Sequence, residues 1–342
     1  ITGSECFRRL LMPLLRRCGW RLTTYEEAMA RPQRSGGQRE PRRPASDEPL
    51  LAAAEAEARV ADVCILVVGT HGFWEMEGVD QPHLRLLGRQ DELVARVGAA
   101  ARGPVVVVLN VGSPKHLPWL GCVDAVLLAH FGGQEAASAV TSVLLGEVNP
   151  SGRLPTTWPR SLSDVPAKAA AARREGLPRP GDVPYDEGLW VGHRGLSPSV
   201  SPYFHFGHGL SYTRFVSSPL EARQTKRCSE LGGPHVEVRL VVKNMGERAG
   251  SQIVQIYTEV LSGHSATHLA PRSLRGFQRT AELGPGCEQH VQINLGPRGL
   301  GAWYDITSSS WQRPAPGWCI RIAVADSAAV DQVLSRADLV LE

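Results

Sequence analysis

Apolar residues recur along this chain in two rhythms, and the change between them falls near Ser211. Upstream, DEPLLAAAEAEARVAD (47–62) carries apolar positions at helical spacing, with Pro49 near the start and acidic residues in the first turn, and predicts a helix. A continuous apolar strand, Val63–Gly69, follows. RQDELVARVGAAAR (89–102) predicts a second helix, Pro104–Asn110 and Asp124–His130 predict two more strands, and GGQEAASAVTSVLLGE (132–147) predicts a third helix stopped by Gly146. Helices alternating with unbroken apolar strands predict an α/β layer whose mostly parallel sheet is buried on both faces. Downstream the period drops to two. Val236, Val238, Leu240 and Val242 face one way in HVEVRLVVKN, and Trp318, Ile320, Ile322 and Val324 do so in WCIRIAVA. With SQIVQIYTEV, RSLRGF and EQHVQINL between NMGE, ELGPG and LGPRG turns, this predicts an antiparallel β-sandwich of about seven strands.

The expected organisation is therefore an irregular or truncated segment at 1–46, an α/β sandwich at 47–165, a Pro- and Gly-rich wrapping linker at 166–210, and an immunoglobulin- or fibronectin III-like β-sandwich at 211–342. Within the first segment RRLLMPLLRRCGW has the blocks of a basic amphipathic helix, next to an Arg- and Pro-rich run. A chain that opens on Ile1 rather than Met favours a truncated start over a membrane or nucleic-acid contact.

Composition narrows the function. The 342 residues are 42% hydrophobic and 21% charged with a net charge of +3, so charge gives no case for nucleic acid or an anionic membrane. No apolar run approaches the roughly 18 residues of a membrane helix. The seven cysteines are scattered, odd in number and without a CxxC pair, which fits neither a disulfide framework nor a zinc site. They lean towards a reducing, cytoplasmic setting, with any export signal unreadable from this start.

Ligand loops in such a sheet lie beyond the carboxyl ends of the strands. The loop after Val63–Gly69 reads THGFWEMEGVD (70–80), setting Phe73, Trp74 and Met76 around two carboxylates, Glu75 and Glu77. That is too apolar for a solvated turn and too charged for a core.

Several longer stretches, in this order, resemble the C-terminal half of glycoside hydrolase family 3, the β-glucosidase and β-xylosidase family. They are VVVVLNVGSPKHLPWL (105–120), DAVLLAHFGGQEAASAVTSVLLGEVNPSGRLPTTWP (124–159), YDEGLWVGHR (185–194) and YFHFGHGLSYTRF (203–215). VVKNMGERAGSQIVQIY, RSLRGFQR and LGPRGLGAWYD resemble that family's fibronectin III-like tail. The resemblance implies a catalytic nucleophile, an Asp often in Ser-Asp-Trp, on a preceding (β/α)8 barrel. This chain has no Ser-Asp-Trp. It also implies an acid/base carboxylate on a loop reading Trp-Glu-Ser/Thr-Glu-Gly-x-Asp-Arg, here Trp74-Glu75-Met76-Glu77-Gly78-Val79-Asp80-Gln81. Met76 and Gln81 depart from that pattern.

Retaining glycoside hydrolysis uses two carboxyl groups roughly 5–5.5 Å apart, one as nucleophile and one alternating as acid and base. The resemblance assigns the acid/base to Glu75, with Glu77 two residues on as the other candidate; Phe73 and Trp74 beside Glu75 offer an aromatic surface that favours the protonated acid and can stack on a sugar ring. The resemblance implies a β-linked glucoside or oligosaccharide substrate and no cofactor or metal. The competing reading is a non-catalytic carbohydrate-binding or scaffolding module descended from such an enzyme. Other features take plain readings. GGQEAASA lacks a phosphate-loop pattern. His264 and His268 lack a third ligand. Lys115-His116 matches the barrel's sugar-binding Lys-His by accident of position. Tyr185, Glu187 and Gly188 brace the linker, and Trp303 and Trp318 belong to the β-sandwich core.

Overall fold

The structure, a computed structural model, describes residues 47–72, 74–77, 81, 83–165, 187–197, 199–225, 233–263 and 272–342. Outside these lie the N-terminal segment 1–46, the early linker with Tyr185, and Phe73, His264, His268, Cys6, Cys18 and Cys228. The chain forms two compact units. The first runs to Val148 and takes back 160–162, and the second comprises 149–159 and 163–342.

In the first unit, α1 (Glu48–Ala58), α2 (Gln90–Ala100) and α3 (Ala136–Leu144) alternate with β1 (Cys64–Gly69), β2 (Val105–Asn110) and β3 (Ala125–Leu128). The three strands pair in parallel in the order β1-β2-β3. Leu51, Ala58, Leu93 and Val97 of α1 and α2 pack with Cys64 and Leu66, while Ala136, Ala137 and Val140 of α3 pack with Val108, Ile65 and Leu127. Successive strand residues thus serve opposite faces, which is why these strands read as continuous apolar runs. Gly146 takes φ +73° just beyond α3, the left-handed end the sequence called for.

β3 is shorter than the predicted Asp124–His130. Asp124 turns its carboxylate onto the Val105 N–H (2.8 Å), and His130 adopts a left-handed φ of 49°. Both ends leave the ladder for local reasons that hydrophobicity does not register.

The second unit is all β. One sheet runs β13 (Val333–Val340), β12 (Cys319–Ala325), β7 (Ile253–Ser262), β8 (Ser273–Arg279). The other centres on β6 (His235–Asn244), which pairs with β4 (Phe215–Ser217), β5 (Glu221–Thr225) and β9 (Glu288–Leu295). A hairpin of β10 (Trp303–Asp305) and β11 (Ser310–Gln312) completes it. Val236, Val238, Leu240 and Val242 meet Ile256, Ile320, Ile322 and Val324 in one core, as the period-two pattern predicts. Trp303 and Trp318 stack at 5.8 Å against that core. Residues 149–159 are tied into this unit. The Asn149 side chain donates to Ala249 O (2.9 Å) and accepts from Tyr212 N (2.8 Å), and Trp158 bridges Phe204. Among the described residues no helix is long and apolar enough to cross a membrane.

Candidate functional site

The site is built where the three parallel strands of the first unit end. β1 closes on Gly69, whose N–H donates to Gln90 Oε1 (2.7 Å) and whose carbonyl accepts from Gln90 Nε2 (3.0 Å). A Cβ on Gly69 would sit 2.1 Å from the Asn110 carbonyl oxygen, so only glycine lets the two strand ends run this close. Thr70 N then donates to Asn110 O (3.1 Å), and the chain turns sharply, with the N–H groups of Trp74 and Glu75 both donating to His71 O (2.9 and 3.0 Å). Trp74 is 4% exposed and lies at a tilt against His83, 5.3 Å between ring centroids. In this unit its indole anchors the loop from beneath and presents no open face.

That turn aims Glu75 back over β2. Its Oε1 accepts from the Thr70 hydroxyl, from Gly112 N (3.2 Å) and from Lys115 Nζ (3.2 Å). Lys115, in the loop after β2, has a side chain 0% exposed, and the Glu75 side chain is 10% exposed. The ammonium also donates to Gln81 Oε1 and to Ser113 Oγ (2.7 Å), so all three of its protons have acceptors. Gln81 Nε2 donates in turn to Ser113 Oγ (3.2 Å). Burial pulls the Lys115 pKa below the ordinary lysine value, and the Glu75 charge opposes that pull. Burial likewise lowers the pKa of His71. The network is a closed polar knot joining the loops after β1 and β2.

Glu77, two residues on, is exposed, and no other described residue holds its carboxylate. Met76 beside it is 49% exposed. From the end of β3 comes Phe131, 44% exposed, next to the strained His130. A Cβ on Gly112 would meet Glu75 Oε2 at 2.4 Å and Phe131 Cε2 at 2.8 Å, so a carboxylate and an open aromatic edge converge over a residue that must stay small. A free carboxylate, a fixed one and an exposed ring thus lie among the loops that follow the three strands.

Of the residues singled out from the sequence, Glu75 sits inside the knot, Trp74 lies buried beside it, and Phe73 falls outside the described residues. Sequence reasoning missed Gly112 and Phe131, and set Lys115 aside as an accidental match to a barrel motif. One signal for Lys115 was available. Only four of the 37 basic residues are lysines, and Lys115 is the first of them. A chain that writes its cations as arginine put a compact ammonium there. No group of three or more potential metal ligands occurs among the described residues.

Residues 19–212 match the glycosyl hydrolase family 3 C-terminal domain, and residues 252–328 match the fibronectin type III-like domain. The chain is 37% identical over 285 residues to a β-glucosidase of Rhizobium radiobacter, covering 83% of this chain and 33% of that protein. It is 37% identical over 269 residues to thermostable β-glucosidase B of Acetivibrio thermocellus, covering 78% and 34%. Among solved structures, the β-glucosidase DesR from Streptomyces venezuelae in complex with D-glucose superposes with a TM-score of 0.77 at 30% identity, covering 87% of this chain and 36% of that one. The chain belongs to glycosyl hydrolase family 3. It spans about a third of the length of the curated relatives it matches.

Proposed function

We propose that this chain supplies one half of the active site of a retaining β-glucosidase that removes terminal non-reducing β-D-glucosyl residues. The nucleophilic carboxylate would come from the part of the enzyme corresponding to the relatives' unmatched length. On this reading the chain alone does not turn over substrate. Its contribution is the proton donor that assists departure of the glycosidic oxygen, and that later takes a proton from the water hydrolysing the glycosyl-enzyme.

Resemblance gives that role to Glu75, but the geometry supports Glu77. Glu75 Oε1 is taken by three donors, one of them a fully buried ammonium. A proton given up and retaken there in every cycle would alternately make and break the charge partner of Lys115, and an unpaired buried charge is strongly unfavourable. Glu77 is exposed and held by no other described residue, so it can follow the leaving oxygen from acid to base. The observation that carries this reading is the division of labour within one loop: a fixed glutamate and, two residues on, a free one.

The test joins this chain to the N-terminal region of one of its β-glucosidase relatives. The chimera should hydrolyse an aryl β-D-glucoside and release β-glucose first, seen by NMR, while the chain alone shows no turnover. Appreciable turnover by the chain alone would sink the half-site account. Binding of β-glucosides by a chain that completes no enzyme would favour a carbohydrate-binding module instead.

A further inference from the structure

We infer that Lys115 is a positioning residue for this reaction: its buried ammonium pins Glu75, and through Glu75 the turn that presents Glu77. The inference rests on the assignment of Glu77 above and goes beyond it, to what holds that carboxylate in place.

The geometry makes Lys115 the hub of the loop. Its Nζ reaches Glu75 in the loop after β1, Gln81 further along that connection, and Ser113 in its own loop. Glu75 closes the circuit onto Thr70 at the end of β1 and onto the Gly112 N–H after β2. Thr70, Glu75 and Gln81 are thereby tied to one another, with Trp74 buried next to Glu75. Glu77 lies between the grip at Glu75 and the grip at Gln81, so its position follows theirs. Lysine suits the hub because three rotatable protons on a compact head can meet three acceptors at different angles, whereas the planar fork of arginine cannot. The steric limit at Gly112 serves the same end, since a side chain there would displace Glu75 Oε2.

Losing Lys115 therefore frees the turn rather than removing a reacting group, and two measurements separate these roles. In the full chain, amide exchange of residues 70–77 should quicken at least about tenfold in Lys115→Met, while exchange in the β-sandwich stays as it was. In the chimera, Lys115→Met should lower kcat/KM on phenyl β-glucoside, whose leaving group needs the acid, by about 100-fold, within the range that acid–base assistance supplies. On 2,4-dinitrophenyl β-glucoside, which leaves unaided, the loss of kcat/KM should stay below about tenfold. A merely structural lysine would lower both substrates alike. Unchanged exchange, or equal losses while Glu77→Ala keeps its leaving-group dependence, would overturn the positioning role alone. If Glu77→Ala itself loses equally on both substrates, the catalytic reading fails, and this inference fails with it.

Discussion

The two units bury polar groups in opposite ways. In the second, Asn244 is completely buried, donating to Arg248 O (2.7 Å) and Leu283 O (2.8 Å) and accepting from Thr213 Oγ1 (2.7 Å). Gln255 likewise donates to Gly207 O (3.0 Å) and Asp326 O (2.9 Å). These are neutral amides that staple turns by satisfying backbone groups. In the first unit the buried polar knot is charged. It sits at the strand ends rather than inside the sheet, and it leaves an unengaged carboxylate two residues away. Neutral staples close a fold. A charged knot with a free neighbour is what the proposed function builds on.

The comparison can be broken at its strongest point first. Glu75→Ala strands the Lys115 ammonium in a buried site, and the first unit should lose about 3–5 kcal/mol, read by urea unfolding with amide exchange to separate the units. Glu75→Met combined with Lys115→Met should recover most of that loss, because an apolar pair replaces a charged one. A loss below about 1 kcal/mol would mean that the pair is not formed. Next, Asn244→Ala removes a fully buried amide that serves Arg248 O, Leu283 O and the Thr213 hydroxyl, and should destabilise the second unit by about 2–3 kcal/mol, with exchange in residues 70–77 untouched.

The smallest effect concerns one of the histidines whose pKa burial lowers in the second unit. His193 stacks on Phe206 at 4.4 Å, and burial, with Arg194, Arg272 and Arg275 nearby, lowers its pKa to about 4. The folded state therefore holds fewer protons on this ring than the unfolded chain between about pH 6.5 and pH 4. Stability of this unit must fall as pH drops through that window. His193→Phe should flatten that part of the profile, and an unchanged profile would show that the ring titrates normally.

Much of the fold was readable because each unit follows one rhythm. Val236 to Val242 and Trp318 to Val324 declared their inward faces by alternation, and the unbroken runs of β1 and β2 declared a sheet covered on both sides. The short β3 was not readable, since Asp124 capping Val105 and the left-handed His130 are matters of local hydrogen bonding and dihedral angle. At the site, the sequence pointed to this loop and to both glutamates and ranked them by resemblance. What separates them is burial and partnership, and these depend on Lys115, some forty residues away and easily passed over as an isolated cation. Likewise Trp74, read as a surface for sugar, lies buried under the loop, whereas Phe131, from a different strand end, is the ring left open.

The central claim is that Glu77, not Glu75, moves the proton. Its most direct test is azide rescue of the alanine variants in the chimera, using 2,4-dinitrophenyl β-glucoside so that the glycosyl-enzyme can form without an acid. Glu77→Ala should accumulate that intermediate and be accelerated about tenfold or more by azide, giving β-glucosyl azide, because a small anion can attack without a general base. Glu75→Ala should gain nothing comparable from azide. Rescue of Glu75→Ala with formation of β-glucosyl azide, and none for Glu77→Ala, would contradict the account.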